Sequence, residues 1–193
     1  LKEIFERKLE IYLNNAPDLY ITYKIATALL SHFIKNNIWK DLKENTDSIS
    51  TNFSKFVEMG LTKKPPVWNL FPSQRKALKQ GILVSNKGFS LQMPTSAGKT
   101  AICELLIYDH LQKNKGSKVL FLAPFRALAS ELKNGFSKRL SDLNITSKSI
   151  YGGNIPTEEE KEAIQNVDVL IATPEKFIAI ESILPDVYDM FSL

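Results

Sequence analysis

The chain has 193 residues, with 25 basic and 21 acidic side chains and a net charge of +4. That length suits one domain, or one domain with a smaller appendage, and 44% hydrophobic with 24% charged residues excludes a disordered or fibrous chain. The single cysteine, Cys103, excludes an intrachain disulfide and a cysteine zinc cluster, and so weak a positive charge is compatible with nucleic acid without arguing for it.

His32 and His110 are isolated, and neither belongs to a metal-ligand spacing. The apolar run from Ile25 to Ile34 is broken by Thr27, Ser31 and His32 and is too short to span a bilayer. With no signal-peptide pattern, the expectation is an intracellular, reducing location, cytoplasmic if the source is prokaryotic, without membrane association. The absence of methionine at Leu1 reads as a fragment or a processed product.

In chain order, Ile4, Phe5, Leu9, Tyr12 and Leu13 recur at helical spacing before the break at Asn14-Asn15-Ala16-Pro17. A second helix is predicted over about 18–42, with Ile21, Ile25, Ala28, Leu29 and Phe33 along one stripe. A third passes through Phe53, Phe56 and Val57 and stops near Gly60. These stripes read as core-facing, and no catalytic constellation occurs among them. Lys63-Lys64-Pro65-Pro66 marks a boundary, because two prolines disfavour helix on both sides.

Beyond it the period changes. Strands are predicted at 90–93, 118–123, 147–151 and 168–173, alternating with helices at 99–113, 126–140, 157–165 and from about Glu175. This alternation predicts an α/β domain with a mostly parallel sheet. The apolar runs Val119–Ala123 and Val169–Ala172 fit strands buried on both faces.

The chemistry concentrates in Met93-Pro94-Thr95-Ser96-Ala97-Gly98-Lys99-Thr100, between the first strand and the helix after it. A small-residue loop opening a helix presents backbone N–H groups and a positive helix end to phosphate oxygens. Lys99 is placed to reach the β- and γ-phosphates, and the Thr100 hydroxyl to complete the shell of a Mg²⁺ ion. Thr95, Ser96, Ala97 and Gly98 form the cradle, although Met93 stands where the general pattern has its first glycine.

Other signals fall at strand ends, where open α/β sheets bind ligands. The second strand runs into Ala123-Pro124-Phe125-Arg126-Ala127, with Arg126 placed to clamp a backbone phosphate. The third ends in Gly152-Gly153, which permits close backbone approach or makes a simple turn. The fourth runs into Thr173-Pro174-Glu175, which has the chemistry of a helix start. Upstream, the Gln74 amide in Phe71-Pro72-Ser73-Gln74 can donate to and accept from one adenine edge, with Phe71 or Trp68 lining the base pocket.

Phe-Pro-Ser-Gln, Pro-Thr-Ser-Ala-Gly-Lys-Thr, Ala-Pro-Phe-Arg-Ala-Leu-Ala-Ser-Glu, Gly-Gly and Ala-Thr-Pro-Glu-Lys stand here in the order seen in superfamily 2 helicases. Over roughly residues 68–178 the chain resembles their DEAD/DEAH-like, superkiller-type branch, which includes archaeal repair helicases and exosome-associated RNA helicases. The resemblance implies a RecA-like P-loop domain of the α/β class over residues 65–193, preceded by a small helical N-terminal region over 1–64.

It implies ATP and Mg²⁺ as cofactors, with Phe71 and Gln74 at adenine and Thr95 to Thr100 at the phosphates, Lys99 and Thr100 being catalytic. Pro124, Arg126, Ala127, Gly153, Thr173 and Pro174 would follow a single strand of DNA or RNA. A second RecA-like domain of the same parent chain would be the other partner, and no partner is assigned to the N-terminal helices. The strand expected to end in Asp-Glu-x-His is missing: Asp186 and Asp189 neither end a strand nor precede Glu. The motor domain therefore reads as incomplete and, alone, a poor ATPase. Two alternatives are a P-loop kinase or small GTPase, which leaves Gln74 and Arg126 unexplained, and a helicase-derived scaffold without catalysis.

Overall fold

The computed structural model describes residues 1–46, 52–85, 87–152 and 155–193. Five helices precede the phosphate loop: α1 (Lys2–Tyr12), α2 (Pro17–Lys35), α3 (Ile38–Asn45), α4 (Ser54–Thr62) and α5 (Pro72–Lys79). Then come α6 (Lys99–Lys113), β1 (Val119–Leu122), α7 (Arg126–Asp142), β2 (Ser147–Ile150), α8 (Glu158–Asn166), β3 (Val169–Ala172) and α9 (Pro174–Glu181). A 3-10 turn, Pro185–Met190, follows. The helix predicted over 18–42 is two helices, because Asn37 ends one and caps the next, its side chain accepting from the Lys40 N–H at 2.8 Å.

The three strands form one parallel sheet in the order β1-β3-β2, with Leu122 and Ile150 both level with Ala172. This is the α/β class expected, with helices in the majority. All four β3 residues are 0% exposed. Val169 and Ile171 face a cluster with Ile102, Leu105, Ala129 and Phe136, while Leu170 and Ala172 face Ile150, Ile164, Phe177 and Ile180. Alternation along one central strand thus feeds two cores, one on each face. Ile38, Leu42, Phe56, Ala77 and Leu78 belong to the first of them.

Three expectations need correction. Residues 90–93 form no strand, because they pair with none of β1, β2 and β3. β1 is not buried on both faces, since Leu122 is 46% exposed at the sheet's edge. The stripe of α2 is not core either: Ile21, Ile25, Leu29 and Phe33 are all exposed, and of the α1 stripe Ile4 and Leu13 are exposed while Phe5, Leu9 and Tyr12 are half-buried. α1 packs on α2 through Phe5 and Tyr12 of its predicted stripe, which meet Tyr23 ring to ring, whereas Tyr23 lies off the α2 stripe and accepts a hydrogen bond from Lys8. A layer only two helices thick leaves their outer sides uncovered.

Phe136 is fully buried against the Phe121 ring, 5.4 Å between centroids. Phe136→Ala should cost about 3–5 kcal/mol in urea unfolding, and a loss under about 1 kcal/mol would show that the site collapses around the gap.

Glu104 on α6 is buried and accepts a hydrogen bond from Arg139 on α7. Burial pushes its carboxyl above the ordinary 4.5, and Arg139 draws it only part of the way back. The folded chain therefore holds a proton that the unfolded chain releases, so the contribution to stability grows as pH falls. Wild type should gain on Glu104→Gln between the raised value and about 4.5, and no more below it. Parallel urea melts across that window would read it, and a constant gap would mean that Arg139 compensates in full.

Candidate nucleotide and nucleic-acid site

The phosphate loop turns sharply at two residues. Ser96 has φ 61° and Gly98 φ 76°, and the Ala97 N–H closes a turn onto the Pro94 carbonyl at 3.3 Å. Gly98 is the N-cap of α6, and no side chain caps the helix's first turn. The N–H groups at such an end point at whatever the loop encloses, which suits an anion. Lys99 is exposed and folded back over its own loop, its ammonium donating to the Met93 and Pro94 carbonyls, each at 3.0 Å. Thr95 and Ser96 are exposed, while Ala97, Gly98 and Thr100 are half-buried.

Gln74 is 4% exposed and bridges two segments. Its carbonyl accepts from the Phe71 N–H at 2.8 Å, and its amide donates to the Gly98 carbonyl at 3.0 Å. An amide with both bonds made keeps one donor and one acceptor position in hand. Phe71 beside it exposes 57% of its surface. A flat exposed ring, a half-used amide and a helix end with uncommitted N–H groups therefore stand together, and this donor set fits a purine nucleotide with its phosphates.

The last turn of α6 lies beside the start of β1, since His110 bonds Ser192 at 2.8 Å and the Ser192 N–H reaches the Lys118 carbonyl at 3.0 Å. The other end of α6, with the phosphate loop, therefore points toward the carboxyl ends of the strands. Pro124, Arg126 and Ala127 are exposed there, at the start of α7. Thr173 and Pro174 stand beside them at the start of α9, in register through the Ala123 N–H to Ala172 carbonyl bond of 2.8 Å. Thr173 occupies the N-cap position expected, but it is 2% exposed and its hydroxyl makes no capping bond. Gly152 has φ 115°, a conformation that favours glycine, whereas Gly153 lies outside the described residues.

The family model for the DEAD/DEAH box helicase matches residues 71–187. The chain belongs to the DEAD/DEAH box helicase family. Hachiman protein HamB of Bacillus cereus is 30% identical over 164 residues, 85% of this chain and 14% of that protein. An ATP-dependent DNA helicase Hel308, from Methanococcus vannielii, is 35% identical over 111 residues, 55% of this chain and 14% of its own length. The pre-mRNA-splicing factor brr2 of Schizosaccharomyces pombe is 33% identical over 102 residues, 48% of this chain and 4% of its own. The chain thus spans about a seventh, or less, of these relatives. A match of 164 residues cannot fit between 66 and 193, so the likeness to HamB reaches into the N-terminal helices.

The sequence reading of this helicase-family chain missed α5 as a helix and missed the Gln74–Gly98 bond. The signal for α5 was present, for Pro72 suits a first helical position, and Gln74 two residues later is half of a capping box. It also gave Lys176 no role, though this lysine is 2% exposed and bonds Glu160 of α8 at 2.8 Å. Asp186 and Asp189 lie in the 3-10 turn, against α9, as their lack of a strand context implied.

A Cβ on Gly98 would lie 2.3 Å from the Gln74 amide nitrogen, at a φ that side chains avoid. Gly98→Ala should cost about 1–2 kcal/mol of stability from the backbone alone, and at least tenfold in binding of a fluorescent ATP analogue, about 1.4 kcal/mol. Unchanged binding would separate the Gln74–Gly98 contact from the nucleotide pocket.

Proposed function

We propose that this chain is the ATP-binding part of an ATP-dependent helicase or translocase, acting on a single strand of DNA or RNA. The observation that carries this reading is the joining of Gln74 to Gly98 at an uncapped helix start that also presents Lys99 and Thr100. ATP would lie with its base between Phe71 and Gln74 and its phosphates over residues 95–100. A phosphate is a stronger acceptor than a peptide carbonyl, so Lys99 leaves Met93 and Pro94 for the β- and γ-phosphates. Thr100 adds its hydroxyl to a Mg²⁺ ion held mainly by the nucleotide. Among the described residues no cluster of three or more His, Cys, Asp or Glu is placed to hold a metal by itself.

The strand track would run over Pro124, Arg126 and Ala127, then Gly153 and Pro174, with the buried Thr173 beneath it rather than on its surface, and with contacts to phosphate rather than base. Binding of that kind is insensitive to sequence and sensitive to salt. Residues 65–193 act as a first RecA-like unit and 1–64 as a helical region packed before it. A second RecA-like unit of a longer protein would close over the nucleotide. Asp186 and Asp189 belong to the turn against α9, so these 193 residues hold nucleotide without turning it over efficiently. Among the described residues no helix is long and apolar enough to cross a membrane.

The test is ATP hydrolysis by a protein of the relatives' length, with and without single-stranded DNA or RNA, beside Lys99→Ala. Stimulation by one polymer, lost in Lys99→Ala, is the expected result and names the track. Hydrolysis indifferent to both polymers would leave an NTPase with some other substrate.

A further inference from the structure

Resting on the reading of Gln74 as the base-recognising residue, we propose that Arg75 positions Gln74 by tying it to the helices in front of the nucleotide site. Arg75 follows Gln74 on the first turn of α5 but points the other way. Its Nε donates to the Asp41 carboxylate on α3 at 2.9 Å, and one terminal nitrogen donates to the Asn36 side-chain carbonyl, just past α2, at 2.8 Å. Asp41 is only 8% exposed, so this charge pair is held away from bulk water. One guanidinium thereby fixes three helices at a point.

Neighbouring contacts converge on the same joint. The Ile38 N–H donates to the Trp68 carbonyl at 3.0 Å, and the Trp68 ring packs on Phe33 with centroids 6.0 Å apart. Asn37 caps α3 while its amide donates to the Phe33 and Ile34 carbonyls of α2. Below the joint, Ile38, Leu42, Ala77 and Leu78 are packed in the core. The turn that carries Phe71 and Gln74 is therefore clamped on one side by the phosphate loop, through Gly98, and on the other by α2 and α3, through Arg75. The helical region has a task in this arrangement: it holds the base-reading side chain in place.

A residue that only supports the fold lowers stability without changing which ligand is preferred. A residue that positions Gln74 alters recognition of the base and leaves recognition of the phosphates alone. Binding of an ATP analogue and of inorganic tripolyphosphate to the intact protein separates the two. Arg75→Ala should weaken the ATP analogue about tenfold, as expected for loss of a charged hydrogen bond, and leave tripolyphosphate unchanged. Arg75→Lys should recover part of the loss. Asn36→Ala removes one arm without stranding the buried Asp41 charge, and it should lower the preference about threefold even if Arg75→Ala does not fold.

Gln74→Ala is the reference, and it should abolish the preference for the base. If it does so while Asn36→Ala and Arg75→Ala keep the wild-type preference and only melt earlier, the positioning role is overturned and base reading survives. If Gln74→Ala itself keeps the preference, base reading falls and the joint has nothing to position.

Discussion

The Gln74 amide joins two stretches of backbone 24 residues apart, and much of the architecture is organised around that join. One end satisfies the Phe71 N–H just ahead of α5, and the other takes up the Gly98 carbonyl at the start of α6. A glutamine buried without partners would destabilise the fold, so the two helix starts are held in one relation. That constraint explains why residue 98 has no side chain, since any Cβ would collide with the amide. It also explains why Phe71 faces outward: the backbone that presents it is already committed to Gln74.

Charge pairs continue the same logic through the rest of the molecule. Arg75 and Asp41 tie α5 to α3, Arg139 and Glu104 tie α7 to α6, and Lys176 and Glu160 tie α9 to α8. In each pair at least one member is buried. Pairs like these contribute modestly to net stability, but breaking one strands a charge, which penalises any slippage of one helix along another. With strands of only four residues, the sheet offers few ladder bonds to fix its helices, and the ion pairs supply that registration.

Most of the α/β half was legible because its signals are local. The helix at 99–113 was bounded by a glycine and a polar Asn-Lys-Gly stretch, and the apolar run at 169–172 marked the most buried strand. What was not legible depends on neighbours. Residues 90–93 have a strand's composition but no strand beside them, and hydrogen-bond partners cannot be read from a segment's own residues. The stripe on α2 has the period of a core face, yet which face is covered depends on what packs there, and Tyr23, off that stripe, takes the α1 rings instead. At the site, Gln74 was found by its chemistry, while its bond to Gly98 required knowing that the chain folds back.

β1 is the outermost strand on its side of the sheet. The N–H groups of Val119 and Ala123 point at β3, so by the pleat those of Leu120 and Leu122 point away from it. The Leu193 carbonyl accepts from the Leu120 N–H at 2.7 Å, and Leu122, two residues on, is 46% exposed. An uncovered strand edge beside apolar surface is a template for any extended segment that meets it. A further extended segment laid along β1 would lengthen this sheet on the β1 side rather than begin a second one.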